Sequence, residues 1–126
     1  MLRAATSAKN FLVSKKARSI TIFIGKGNNG EDGLCLAALL KIENIKTHII
    51  DLDYKNRPDS QAYKLCIDLG IKVERFNRGK IPRSDWYVDG VFGIGLNRDL
   101  QNNYLRAINY LQCSKSKKIL QITFSD

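Results

Sequence analysis

Cysteine, histidine and proline are all scarce in this 126-residue sequence, which contains three, one and two of them respectively. The cysteines (Cys35, Cys66 and Cys113) are far apart and form no CxxC pair, which argues against a disulfide scaffold or a zinc module and favours free thiols in a reducing compartment. The single histidine, His48, cannot build a histidine-rich metal site, and no nucleophile elbow accompanies it. Two prolines leave no proline-rich linker that would separate domains.

Long apolar runs are also missing, since no stretch approaches the roughly 18 residues that a membrane-spanning helix needs. The hydrophobic fraction of 44% and the charged fraction of 26% are ordinary for a folded soluble protein. We therefore predict a single domain over residues 1–126, in the cytoplasm and without a membrane partner. The basic, serine-containing amino end leaves a mitochondrial presequence as the alternative.

Acidic residues are absent from positions 1–30, although the chain as a whole carries a net charge of +9. The basic residues of that segment are Arg3, Lys9, Lys15, Lys16, Arg18 and Lys26, and a second basic cluster consists of Lys115, Lys117 and Lys118. Neither cluster carries the aromatic-interleaved motif of an RNA-binding surface. This pattern favours solvated surface, or attraction of a phosphorylated small ligand, over a nucleic-acid partner.

Apolar β-branched runs alternate with helical patterns along the chain. The predicted strands cover residues 20–24, 47–52, 71–76, 86–92 and 119–124. The predicted helices cover residues 2–17, 34–44, a segment capped by Asp59 and stopped by Gly70, and residues 100–112. This order predicts a three-layer, Rossmann-like α/β fold with a mainly parallel sheet of about five strands and right-handed crossovers. Ligands of such sheets gather at the carboxyl ends of the strands.

The first glycine loop, residues 25–30 (GKGNNG), is a literal GxGxxG that follows a strand and opens a helix, as a dinucleotide fingerprint does. Asp51 lies roughly where a ribose-binding acid belongs, so an ordinary dehydrogenase is one reading. Glu31 and Asp32 argue against it, because carboxylates at a helix N-terminus oppose phosphate binding. They suit helix capping, a bound cation or ligand hydroxyls. A tight turn capped by Asp32 is the purely structural alternative.

The second glycine loop, residues 88–99, begins inside a strand, where Asp89 interrupts an apolar run. A carboxylate in that position is costly unless it is paired, protonated or bound to a cation, and an exposed acid near the strand end is the simpler alternative. Gly93 and Gly95 would allow backbone to approach a ligand closely. Arg98 would bind a phosphate or point into water.

Together the two loops are far more specific. Residues 25–34 (GKGNNGEDGL) resemble the GxGNNGGDG signature of the YjeF N-terminal domain family, and residues 88–98 (VDGVFGIGLNR) resemble its VDAxFGxGLxR segment. Residues 1–5 are similar to the family's M-x-R-A-G segment. The resemblance implies an NAD(P)H-hydrate epimerase, which interconverts the R and S epimers of NADHX and NADPHX. It also implies a pathway partner, an ADP- or ATP-dependent NAD(P)HX dehydratase that accepts the S form.

The resemblance also implies a set of site residues. The expected substrate-binding residues are Asn28, Asn29, Gly30, Glu31, Asp32, Gly93, Ile94, Gly95, Leu96, Asn97, Arg98, Asp99 and Thr123. Asn29 and Asp89 are expected to hold a potassium ion through their oxygen atoms. Asp89 is also the best candidate for a catalytic group, although the resemblance does not fix the acid and base.

Two departures from the family pattern bear on activity. Glu31 stands where the family has glycine, and its charge is expected to weaken binding of a phosphorylated nucleotide. The family's DxPSG segment is replaced by residues 119–126 (ILQITFSD), in which Thr123 takes the place of the acid. We therefore expect a domain incomplete at its carboxyl end, with an uncovered strand edge and homo-oligomerisation. Two functions stay open: an epimerase-like enzyme, or a catalytically inactive nucleotide-binding or scaffold domain derived from that family.

Overall fold

Three helices and five strands make up the part of the chain that the computed structural model describes, which is residues 2–25, 28–52, 60–76, 82–90 and 118–121. In chain order they are α1 (Leu2–Ser14), β1 (Ser19–Ile24), α2 (Asn28–Ile42), β2 (Lys46–Asp51), α3 (Gln61–Asp68), β3 (Lys72–Arg75), β4 (Trp86–Gly90) and β5 (Lys118–Gln121). None of these helices is long and apolar enough to cross a membrane.

The strands form one parallel sheet in the order β3-β2-β1-β4-β5. Strand β1 lies in the middle, with Ile24 opposite Asp51 of β2 on one side and Gly90 of β4 on the other. Strands β2 and β3 lie on one side of β1, and strands β4 and β5, which follow later in the chain, lie on its other side. The strand order therefore reverses direction between β1 and β4. The fold-class prediction is confirmed.

The core lies between one face of the sheet and the helices. On β1, Ile20, Ile22 and Ile24 are fully buried and belong to the same cluster as the apolar residues of α2. Helix α1 packs on α2 with Ala5 and Leu12 fully buried, so this basic amphipathic segment is a helix of the fold. It ends at Ser14 rather than at the predicted position 17, because Lys16 adopts a positive φ of 57°.

Helix α2 begins six residues earlier than predicted. Residues 28–33 were expected to belong to the glycine loop, but Asn28 is already helical. The negative charge of Glu31 in the first turn is favourable at the positive end of the helix dipole and offsets the poor helix propensity of asparagine and glycine.

The cap of α3 also differs from the prediction. Ser60, not Asp59, is the N-cap, and its hydroxyl accepts a hydrogen bond from the Tyr63 N–H at 3.1 Å. The predicted stop at Gly70 is confirmed, since this residue has a left-handed φ of 78°. The predicted helix over residues 100–112 and the ends of the last two predicted strands lie outside the described residues.

Candidate functional site

The candidate site lies outside the carboxyl ends of β1 and β4, the two adjacent strands between which the strand order reverses direction. Ligands of open α/β sheets bind in the crevice at such a switch point. Ile24 and Gly90 are neighbours across this junction. Only three residues separate Ile24 from Asn28, the first residue of α2, so the N-terminal turn of α2 starts beside the junction.

The predicted site residues fall into three groups. Residues 28–32 form the first turns of α2, in which Gly30 and Asp32 are buried and Glu31 is half-buried. Asp89 is the last but one residue of β4, in register with Phe23 of β1 and Gln121 of β5. The fold thus brings the first glycine loop and Asp89 to the same edge of the sheet. Residues 93–99 and Thr123 lie outside the described residues, so their predicted roles stay predictions.

Gly33 holds the first turn of α2 close to the sheet. A Cβ atom at this position would lie 2.5 Å from Cγ2 of Ile24, the last residue of β1, and 3.6 Å from Cγ2 of Ile22. The dinucleotide fingerprint gives the close helix–strand approach to its third glycine, here Gly30. In the structure Gly33 makes such an approach; sequence reasoning included it in the family segment but predicted no role for it. The sequence feature that could have indicated this close approach is a glycine about one turn inside a helix, directly before an apolar run.

Glu31 and Ser60 connect the N-terminal turns of α2 and α3. The Ser60 hydroxyl lies 2.6 Å from Oε1 and 2.8 Å from Oε2 of Glu31, and it donates its hydrogen bond to this carboxylate. The same hydroxyl oxygen accepts from the Tyr63 N–H, which caps α3. Sequence reasoning placed Glu31 at the ligand but did not identify Ser60, since the two residues are 29 positions apart.

Two further acids of this region are buried. Asp32 is 2% exposed and Asp51 is 1% exposed. Asp51 ends β2, in register with Ile24 and with Arg75 of β3. An acid that binds a ribose has to face the ligand, so the burial of Asp51 does not suit the dehydrogenase reading. No cluster of three or more His, Cys, Asp or Glu side chains fit for a metal occurs among the described residues.

Two thiols lie behind the site and are held in the neutral form. Burial raises the pKa of the Cys66 thiol to about 12, with smaller contributions from Cys35 and Glu31. Its Sγ donates a hydrogen bond to the Leu34 carbonyl at 3.3 Å. Burial, followed by the charges of Asp32 and Glu31, raises the pKa of Cys35.

These pKa shifts predict unreactive thiols. At pH 8 a pKa of about 12 leaves about one Cys66 thiolate in ten thousand, so we expect iodoacetamide to modify this residue only after unfolding. Peptide mass mapping at intervals, in buffer and in urea, measures the two rates on a Cys113→Ser background. Equal modification of Cys66 in both conditions would contradict the burial.

A family model described as YjeF-related protein N-terminus matches residues 1–122. An NAD(P)H-hydrate epimerase of Levilactobacillus brevis is 31% identical over 124 residues, which cover 94% of this chain and 57% of that protein. An NAD(P)H-hydrate epimerase of Rhodopirellula baltica is 29% identical over 108 residues, covering 80% and 44%. A bifunctional NAD(P)H-hydrate repair enzyme Nnr of Dictyoglomus turgidum is 30% identical over 131 residues, covering 97% and 25%. The chain thus spans about half the length of the two epimerases.

The crystal structure of the yeast protein YNL200c has the same fold, with a TM-score of 0.76 over 98% of this chain and 61% of that one. The two sequences are 17% identical, so this likeness concerns the fold alone.

Proposed function

The chain belongs to the YjeF N-terminal family, and we propose that it interconverts the R and S epimers of hydrated NADH and NADPH, as an NAD(P)H-hydrate epimerase does. The observation that carries this proposal is the similarity of almost the whole chain to proteins named NAD(P)H-hydrate epimerase, in agreement with the family match over residues 1–122. The placement of the first glycine loop and Asp89 at one edge of the sheet supports it.

In this proposal the two glycine loops hold the nucleotide across the switch point. Residues 28–32 and 93–99 would bind it, with Thr123 beyond the end of β5. Epimerisation by exchange of the C6 hydroxyl requires the C6–O bond to break, with the hydroxyl leaving as water and the positive charge shared with the ring nitrogen, and a water to add to the opposite face. A carboxyl group, or a water that it holds, within hydrogen-bond reach of this hydroxyl would donate the proton to the leaving oxygen and take one back from the adding water. Asp89 is the candidate for that role.

A potassium ion is the proposed cofactor, held by the oxygen atoms of Asn29 and Asp89. The donor set fits a hard cation, because amide and carboxylate oxygens are the ligands that such ions prefer. Asp89 is also an acid within a strand of the central sheet, and a carboxylate buried in such a strand would need a compensating charge. When bound, the ion would supply that positive charge beside the nucleotide.

The proposed pathway partner is an NAD(P)HX dehydratase. Relatives named as bifunctional NAD(P)H-hydrate repair enzymes support a link between the two activities. Self-association also stays a prediction, which analytical ultracentrifugation tests: a clean monomer at micromolar concentration would count against it.

An epimerase assay tests the function. Purified protein is mixed with R-NADPH hydrate, potassium chloride and an excess of an S-specific dehydratase, and the loss of the hydrate is followed. We expect faster loss of the R form than in a reaction without the protein, which measures spontaneous epimerisation. No acceleration by a protein that circular dichroism shows to be folded would overturn the enzyme proposal and leave an inactive binding domain.

A further inference from the structure

The carboxylate of Glu31 occupies the junction between two helix N-termini. It belongs to the first turn of α2, and it lies within 2.8 Å of the hydroxyl oxygen that caps α3. Each N-terminus carries about half an elementary positive charge and several N–H groups without helical partners. The carboxylate therefore stands at the point where a free anion would be attracted by both helices.

The side chain is held there rather than left to sample solvent. Glu31 is half-buried, and both of its oxygen atoms are within hydrogen-bond distance of the Ser60 hydroxyl. Ser60 is itself fixed by the bond that it accepts from the Tyr63 N–H. A second carboxylate, that of buried Asp32, follows directly in α2 and adds to the negative charge at this end of the helix.

We propose that Glu31 is a specificity-determining residue, whose carboxylate serves as a built-in anion and excludes ligand phosphate from the junction of α2 and α3. A nucleotide that binds at the switch point then has to place its phosphates elsewhere and present hydroxyl groups or a base to this junction. The inference rests on the proposed function for the identity of the nucleotide, but the exclusion of phosphate is a property of the folded chain and is measured without any turnover.

Inorganic phosphate is the probe, and Glu31→Gln is the decisive variant. Glutamine keeps an oxygen that accepts the Ser60 hydrogen bond but removes the charge. Loss of a negative charge a few ångströms from a bound phosphate is expected to strengthen phosphate binding about tenfold or more. The measurement is a phosphate titration at constant ionic strength, followed by the NMR shifts of the backbone amides of residues 30–33 and 61–63.

Ser60→Ala is the matched control, since it removes the hydroxyl and leaves the carboxylate. We expect its phosphate affinity to stay at the wild-type value while its melting temperature falls through loss of the cap. Equal phosphate affinity in wild type and Glu31→Gln would overturn the proposal. A gain in Ser60→Ala as large as in Glu31→Gln would also overturn it, because loosening of the junction would then be the cause. Glu31→Ala replaces Glu31→Gln if the latter does not fold.

The epimerase assay and the phosphate titration test separate claims, so either proposal can be contradicted without the other. A protein without epimerase activity still gives a phosphate affinity for each variant. An active protein whose Glu31→Gln variant gains no affinity for phosphate would keep the proposed function and lose the role of Glu31.

Discussion

Gly33→Val is expected to lower the free energy of unfolding by about 3 kcal/mol or to prevent folding, because the added side chain has no space between α2 and β1. Even a Cβ would lie 2.5 Å from Cγ2 of Ile24, which is fully buried at the end of the central strand. Gly33→Ala is expected to cost less, since alanine gains about 1 kcal/mol in helix propensity against the same contact. Urea denaturation followed by circular dichroism measures both changes.

A double-mutant cycle with Ile24→Ala separates the contact from other effects of the substitution. Removing Cγ2 of Ile24 takes away the atom that the new Cβ would meet, so Gly33→Ala is expected to cost less in the Ile24→Ala background than in wild type. Gly70→Ala is the matched control: nothing lies within 4 Å of its Cβ position, but φ is +78°. Its expected cost of about 1–2 kcal/mol is therefore one of backbone conformation and is independent of residue 24. Equal costs of Gly33→Ala in both backgrounds would contradict the close approach.

The fold was predictable because the information for it is local. The central strand β1 is buried along almost its whole length and therefore reads as a short apolar run, residues 20–24. Helical spacing between such runs then fixes the βαβ order. The stop at Gly70 was equally readable, because a left-handed residue after a helix is most often glycine.

The errors in the site region come from tertiary contacts that have no local signature. Asparagine and glycine at residues 28–30 predict a loop, yet they are helical because Glu31 stabilises the turn and Gly33 lets it pack on Ile24. Asp59 and Ser60 are both good capping residues, so residue type alone does not decide between them. The residue that caps α3 in the structure is Ser60, and its hydroxyl also donates a hydrogen bond to Glu31, which lies 29 positions away in the sequence.

The predicted location of the candidate site depends on the topology of the sheet rather than on local sequence. In a parallel sheet the carboxyl ends of all strands lie at the same edge. Motifs that follow different strands therefore come together at that edge, even when they are far apart in the sequence. This is why the first glycine loop and Asp89, some sixty positions later, reach the same edge. Motif spacing alone does not reveal which side chains are already engaged within the protein, as Glu31 is by Ser60.

Asp89→Asn is expected to reduce epimerase activity by about a hundredfold or more, the loss typical of removing a general acid–base or charge-stabilising group. The substitution keeps the size of the side chain and one carbonyl oxygen but removes the negative charge.

In potassium chloride the wild-type protein is expected to melt at a higher temperature than in sodium chloride of the same concentration. The variant is expected to lose this difference, because its proposed ion ligand is neutral. Thermal melts in the two salts give a readout that needs no catalysis.

Asp85→Asn is the matched control at the other end of the same strand. Asp85 is exposed and precedes β4, and its Oδ2 accepts a hydrogen bond from the Arg18 N–H at 2.9 Å. The change from carboxylate to amide is the same, but it takes place at the amino edge of the sheet, away from the proposed site. We therefore expect full activity, an unchanged response to potassium and a stability loss below about 1 kcal/mol. If Asp89→Asn behaved like Asp85→Asn in both measurements, Asp89 would be a structural acid and the catalytic and ion-binding roles would have to lie elsewhere.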